Sequence, residues 1–324
     1  MTARSVSVIV CTHNRASALP QVVGQLYAQH YPQDSFEVII VDNRSTDNTA
    51  EVVQKFIEEK NIRLRYVKEN RPGVSFARNR GAKEARYPYL AYLDDDCVVA
   101  ENWLSELLSG FDLDEQVAIV GGRVEMAYDD QKIPAWLGAV SKRWLAEFKF
   151  PGSEPRLLDN ATYVIEGNMA ISKEAWQSGG GFLGIDQFSS PHVASQEIVY
   201  LLEQIKNQGG KVAFVPGAVA NHHKLLPSKK QMITRAYFHG VSTGILNYLL
   251  EGFSWVPVIS RIIFNAGSTF FLLLFSFLFL FNKPVSMDFL LRAAMRLGRV
   301  ISELRLTGNW SSVRAWASEQ KLTS

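Results

Sequence analysis

Apolar runs and helix-like stretches alternate without a break over the first hundred residues, and this alternation restricts the fold more than any other feature. Residues 6–11 (VSVIVC) are rich in β-branched side chains, as expected of a strand buried on both faces. Residues 16–30 carry apolar side chains at helical spacing, and residues 36–41 read as a second buried strand. A helix over about 46–59 follows, with Ser45 or Thr46 placed to cap it. Residues 62–67 then predict a strand, 74–86 a helix and 89–93 a fourth strand. Strict alternation of this kind implies βαβ units and an α/β fold built on a parallel sheet. Ligands of such sheets bind at the carboxyl ends of the strands, which here are the positions after Cys11, Val41 and Leu93.

Beyond Leu93 the pattern is mixed. Residues 117–124 and 161–165 predict strands, and 129–154 read as an irregular segment containing aromatics. A helix is expected over 196–208, ending at Gly209-Gly210, and a strand over 212–215. Pro227 opens an amphipathic helix that Gly240 and Gly244 are expected to interrupt. Residues 262–281 contain no charge and are long enough, as a helix, to cross a hydrocarbon core. Asn265, Gly267, Ser268 and Thr269 weaken the first half of that stretch, so a re-entrant or shallow helix fits as well as a span, and a buried core or dimer helix is the plain alternative. Residues 287–306 place Arg292, Arg296, Arg299 and Arg305 among apolar residues, the pattern of a helix lying in a membrane interface. From Asn282 onward seven Lys/Arg (Lys283, Arg292, Arg296, Arg299, Arg305, Arg314, Lys321) face three acids (Asp288, Glu303, Glu319), which suits anionic headgroups. Basic residues flank residues 262–281 on both sides, so charge does not fix an orientation.

Composition excludes several classes. A formal net charge of +2 makes no general case for nucleic-acid binding, and none is expected. The two cysteines, Cys11 and Cys97, form no CxxC or Cys/His cluster in the sequence, so a disulfide framework and a structural zinc site are not expected. The apolar run at the N-terminus is too short for a signal peptide, which places the bulk of the protein in a reducing cytoplasm.

The strongest chemical feature is Asp94-Asp95-Asp96 at the end of an apolar run. Three adjacent carboxylates repel, and a divalent cation bound through oxygens would hold them and bridge phosphates, although a solvated acidic turn has the same residues. Asp42 stands at the end of the second strand and suits either a hydrogen bond to a nucleoside or a helix cap. Thr12, His13, Asn14 and Arg15 follow the first strand and would border the same crevice.

Taken together, the 6–15 run, the 38–47 run and the Asp94 triplet resemble the family 2 glycosyltransferases of the GT-A fold. Residues 71–81 (RPGVSFARNRG), residues 166–171 (EGNMAI) and Gly180-Gly181-Phe182 extend the resemblance to about residues 5–225. It implies a GT-A-like mixed, mainly parallel sheet flanked by helices over 1–225, followed by a helical membrane-associating region over 226–324 with a hydrophobic helix 262–281 and a basic amphipathic helix 287–306. It further implies that Asp42 meets the base, that Thr12, Asn14, Arg15 and Arg78 border the nucleotide-sugar, and that Asp94 faces the ribose or the metal. Asp96 would be a direct metal ligand with His222 near it, and the metal Mg²⁺ or Mn²⁺. Gly167 and Asn168 fall on the acceptor side. Glu197 occupies the general-base position, with Gln196 where the family has Glu. The implied reaction is inverting transfer from a nucleotide diphosphate-sugar to a glycan or lipid-linked acceptor, at the inner face of the cytoplasmic membrane. Trp136 and Trp144 suit stacking on a sugar or ordinary packing, and Lys224, Lys229 and Lys230 suit phosphate contacts or solvation. Rival readings are a sugar nucleotidyltransferase, which would carry a glycine-rich basic loop where Thr12-His13-Asn14-Arg15 stands, and a non-catalytic nucleotide-binding membrane scaffold. A dehydrogenase is disfavoured because no GxGxxG follows the first strand.

Overall fold

A computed structural model of the chain describes residues 3–59, 63–128, 133–138, 141–142, 145, 147–159, 164–184, 197–223, 226–251 and 255–308. The chain divides into two compact units, one of residues 1–127, 148–183 and 201–224 and another of residues 128–147, 184–200 and 225–324.

The first unit is built on a nine-stranded sheet among the described residues. Strands β1 (Val6–Thr12), β2 (Phe36–Asp42), β3 (Leu64–Lys68) and β4 (Tyr89–Leu93) lie where the apolar runs predict them, in the order β3-β2-β1-β4, and all pair in parallel. Every residue of β2 is buried, which is why residues 38–41 form an apolar run rather than an alternation, and the buried Glu37 accepts from the Ser7 hydroxyl and the Arg86 N–H. Helices α1 (Leu19–Tyr27), α2 (Thr49–Glu59) and α3 (Val74–Glu84) make the crossovers. Leu19, Val22, Val23 and Leu26 of α1 recur at helical spacing and enter the core, with Pro20 in its first turn, where a missing N–H is harmless.

The rest of the sheet comes from β5 (Cys97–Val99), β6 (Val117–Ala127), β7 (Arg156–Leu157), β8 (Asn168–Ser172) and β9 (Lys211–His223), with helices α4 (Trp103–Ser109), α5 (Lys173–Ser178) and α6 (Glu197–Asn207). Strand β8 runs antiparallel between β4 and β6, β9 is parallel to β6, and β5 and β7 pair antiparallel with β9. The strand expected over 212–215 continues to His223. Pro216 cannot donate to a ladder, and β9 absorbs it in an irregularity between Val215 and Val219 before pairing resumes. The strand expected over 161–165 lies largely outside the described residues.

Within the second unit, α7 (Lys229–Glu251), α8 (Trp255–Leu278) and α9 (Lys283–Gly308) are long helices. The expected breaks at Gly240 and Gly244 do not occur, because α7 runs through both. These glycines instead let two backbones approach: a Cβ on Gly240 would lie 1.9 Å from the Met295 carbonyl oxygen, and one on Gly298 would lie 2.0 Å from that of Tyr237. Gly240→Ala is expected to force α7 and α9 apart and to cost about 1–3 kcal/mol. Thermal unfolding of the full chain checks this, and an unchanged midpoint would contradict the close approach.

Residues 128–147 join the second unit through polar and packing contacts with α9. The Ser141 hydroxyl donates to Asp288 Oδ1 at 3.0 Å. Trp136 is buried and is therefore placed for packing, while Trp144 lies outside the described residues.

Candidate functional site

Parallel register brings the carboxyl ends of β1, β2 and β4 to one edge, so Thr12, Asp42 and the residues after Leu93 gather there. Strand β9 adds His222, which stands opposite Cys97 in the ladder with β5.

The three carboxylates are each held by a different partner. Thr12 Oγ1 donates to Asp95 Oδ2 at 2.7 Å. Arg15 Nη1 donates to Asp96 Oδ2 at 3.0 Å, and Arg78 Nη2 lies 3.7 Å from Asp94 Oδ1. Arg78 is buried and its guanidinium also stands over the Phe182 ring. The repulsion within the triplet is thus countered in part by two guanidiniums of the same chain, so charge balance alone does not require a cation. Burial pushes the Asp95 carboxyl up to about 6, against the Thr12 hydrogen bond and Arg15, with Asp96 and Asp94 adding to the rise.

The stronger argument for a metal is the donor set. His222 Nε2 lies 2.7 Å from Asp96 Oδ1, and the ligand atoms of Asp96, Cys97 and His222 fall within 4.8 Å of one another. A carboxylate oxygen beside an imidazole nitrogen suits a divalent cation such as Mn²⁺, and both side chains are nearly withdrawn from solvent. Of the two adjacent histidines, His222 presents its ring to Asp96, whereas the His223 backbone N–H donates to the Asp96 carbonyl. Cys97 had no assigned role in the sequence, because its neighbour His222 comes from a strand more than a hundred residues later.

Behind the triplet, the Asp94 N–H donates to the Gly167 carbonyl, and a Cβ at Gly167 would lie 2.3 Å from Asp94 Oδ2. Glycine at 167 therefore fixes the position of the Asp94 carboxylate. Asn168, expected on the acceptor side, has a different occupation. Its Oδ1 accepts from Trp103 Nε1, and its Nδ2 donates to the carbonyls of Arg123 and Ala218, all at 2.8 Å. The side chain is fully buried, and these three hydrogen bonds tie it to the chain. Asn168→Ala is expected to strand the Trp103 N–H and two carbonyls, lowering stability by at least about 2 kcal/mol. Denaturant unfolding reads this out, and a loss below a few tenths would contradict the bracing role.

At the end of β2, Asp42 Oδ1 accepts from the Ser45 N–H at 2.7 Å, and its other oxygen accepts from the Tyr66 hydroxyl. Burial and that hydrogen bond raise the Tyr66 phenol above its ordinary range. Asn14 bridges the first two strand ends: its Oδ1 accepts from the Thr46 N–H at 2.7 Å, and its own N–H donates to Ser45 Oγ. With Ser45 and Thr46 so engaged, the side chain that serves the start of α2 is Asp47, which accepts from the Thr49 N–H. Asn43, with no role assigned from the sequence, donates to the carbonyls of Glu69 and Arg71 and accepts from the Gly73 N–H, tying the second strand end to the third. Asn79 joins two sequence segments a hundred residues apart, because it accepts from the Phe182 N–H at 2.8 Å and donates to the Phe182 carbonyl at 2.7 Å. Glu197 opens α6 within the second unit, and its side chain is buried. Lys229 and Lys230 are exposed in the first turn of α7, and Lys224 lies outside the described residues.

Comparison with known proteins shows the family and the fold. Residues 7–179 match the family model described as Glycosyl transferase family 2. The glycosyltransferase AglE of Haloferax volcanii is 32% identical over 126 residues, which cover 38% of this chain and 40% of AglE. A glucosyl-dolichyl phosphate glucuronosyltransferase of the same organism is 23% identical over 255 residues, covering 75% of this chain and 78% of that protein. Among solved structures, a mannosyltransferase from Pyrobaculum calidifontis in complex with GDP-Man and Mn²⁺ superposes with a TM-score of 0.57 at 20% identity, covering 99% of this chain and 85% of that one. The likeness shows the fold, which is the GT-A fold.

Proposed function

The chain belongs to glycosyl transferase family 2, and from that premise we propose that it transfers a sugar from a nucleoside diphosphate-sugar to an acceptor hydroxyl, with inversion at the anomeric carbon. The observation that carries the reading is the Asp96–His222 pair, 2.7 Å apart, at the strand ends where Asp42 and Arg15 also gather. The P. calidifontis neighbour is described with GDP-Man and Mn²⁺, which favours a nucleotide-sugar donor and a divalent metal here as well.

Asp96 and His222, with Asp94 beside them, would hold the cation, which when bound supplies positive charge opposite the departing diphosphate. The chain's own residues do the rest. Asp42 accepts hydrogen bonds from the nucleoside, in exchange for or alongside those it makes to Ser45 and Tyr66. Arg15, already beside the acid cluster, is a second positive group for the diphosphate. Asn14 and Asn43 keep the strand-end loops in register for that contact. Glu197 accepts the acceptor's proton as its hydroxyl oxygen attacks the anomeric carbon, and the bond to the diphosphate oxygen breaks with its electrons on the diphosphate.

Residues 1–225 form the transferase domain in this reading, and residues 226–324 attach it to the inner face of the cytoplasmic membrane. The acceptor is a glycan or a lipid-linked glycan, consistent with a dolichyl phosphate-linked substrate in the name of one relative. A direct test incubates the full chain with a panel of UDP-, GDP- and dTDP-sugars, lipid-linked acceptors and Mn²⁺, and assigns the new linkage by NMR. Acceptor-dependent release of one nucleoside diphosphate with an inverted linkage is expected. A retained configuration would remove the single-displacement mechanism, and no transfer from any donor would favour a non-catalytic subunit.

A further inference from the structure

We propose that α8 lies lengthwise along one membrane leaflet and that the chain does not cross the bilayer there, an inference that rests on the membrane attachment proposed above. Helix α8 spans 24 residues, about 36 Å at the usual rise, so length alone would permit a crossing. Its partner decides otherwise.

Helices α8 and α9 form an antiparallel hairpin whose register is fixed by polar and aromatic contacts from end to end. Arg261 Nε donates to Glu303 Oε1 at 2.7 Å. Arg296 Nη1 donates to Asn265 Oδ1 at 2.8 Å. Nearer the turn, Phe275 stacks on Phe289, and the buried hydroxyls of Ser276 and Ser286 lie 3.1 Å apart. Each residue of α8 therefore has a neighbour on α9 at the same height. Level with the middle of α8, near Gly267, stand Arg296 and, a turn nearer the tip, Arg292, which is exposed. A crossing would carry both into the centre of the hydrocarbon, with Asp288, Arg299 and Glu303 spaced along the same path. Intramembrane charges are tolerated where they face a bundle interior or a water-filled cavity, and an exposed arginine at mid-height meets neither condition.

The opposite side of the hairpin has no such problem. Ile259, Ile263, Phe270, Leu274, Phe277 and Phe281 are exposed at helical spacing along the whole of α8 and into the turn, and no charged residue interrupts that face. An apolar face that runs the full length of a helix, backed by a helix with basic side chains, matches a lipid surface met side-on. Over residues 255–308 six basic residues (Arg261, Lys283, Arg292, Arg296, Arg299, Arg305) oppose two acids (Asp288, Glu303), and Lys283 and Arg292 are exposed. That excess complements anionic headgroups and commits the face to an anionic bilayer rather than to a second copy of the chain.

The test places a nitroxide at three exposed positions of that face, Ile259→Cys, Phe270→Cys and Phe277→Cys, in the full chain bound to vesicles of phosphatidylcholine and phosphatidylglycerol. Cys97 is buried and Cys11 partly so, and the wild-type chain treated with the same reagent gives the background. Collision with oxygen and with a water-soluble nickel chelate reports depth at each site. All three labels at one shallow depth is the expected result. A deepest point at Phe270 with Ile259 and Phe277 near opposite surfaces would show a crossing and overturn the proposal. Depth rising steadily towards Phe277 would overturn it in favour of end-on insertion. No lipid contact at any site, with nucleotide binding intact, would overturn it together with membrane attachment and leave the donor-site reading standing.

Discussion

Asp96→Asn is expected to lower turnover about 10³-fold, a loss of roughly 4 kcal/mol of transition-state stabilisation. The substitution keeps the shape of the side chain and its ability to accept from Arg15, but removes the charge that faces His222 Nε2 at 2.7 Å. The effect runs through metal-dependent binding of the nucleoside diphosphate, so that binding should weaken in parallel and metal-free binding should be little changed. Circular dichroism confirms the fold of the variant. Full turnover in Asp96→Asn would remove this residue from the site and the Asp96–His222 pair from the mechanism.

Glu197→Gln is expected to lower turnover by about 10²–10⁴-fold, the range associated with loss of a general base. Nucleotide affinity should be unchanged, because Glu197 is assigned to the acceptor and not to the donor. The pairing of these two variants is informative: one should lose binding and turnover together, the other turnover alone. Glu197 is buried, so the glutamine also tests whether the carboxylate is needed for folding. If Glu197→Gln turns over normally, the base lies elsewhere. If affinity for the nucleotide falls with turnover, Glu197 acts on the donor side.

Much of the first unit is legible from the sequence, because βαβ units encode themselves locally. The fully buried strand β2 is legible from its apolar residues 38–41, and α1 from a stripe at helical spacing. What periodicity does not convey is pairing across long separations. Nothing near residue 211 announces that β9 runs parallel to β6, and Pro216 suggests an end where the strand only bulges. Glycine has the same ambiguity in the second unit. Gly240 and Gly244 have the composition of a break, yet they are sites of close helix approach, a meaning that depends on Met295, Arg299 and Ser302 in a helix more than fifty residues later.

The candidate site divides along the same line. Asp94, Asp95 and Asp96 are conspicuous as a triplet, and the rule that ligands bind at strand ends adds Thr12 and Asp42. Arg15 and Arg78 had been placed near the nucleotide-sugar, and the structure adds that they are the counter-charges of Asp96 and Asp94. Asn43, Tyr66 and Cys97 had no role assigned from the sequence, since each acts through a partner distant in sequence. Asn168 falls on the acceptor side by resemblance alone, and only the structure shows the three hydrogen bonds by which it braces the sheet from within. Asn79 lies in a segment flagged for its Arg-Asn-Arg-Gly run, and its visible work is to hold Phe182.

The most direct test of the central claim is titration of the full chain with UDP, GDP and dTDP, in Mn²⁺ and again after chelation. One nucleotide is expected to bind at least about 10-fold more tightly with the metal, a gain of about 1.4 kcal/mol or more. Equal binding with and without metal for all three nucleotides would contradict it, because Asp96 and His222 would then hold no cation for a diphosphate to meet.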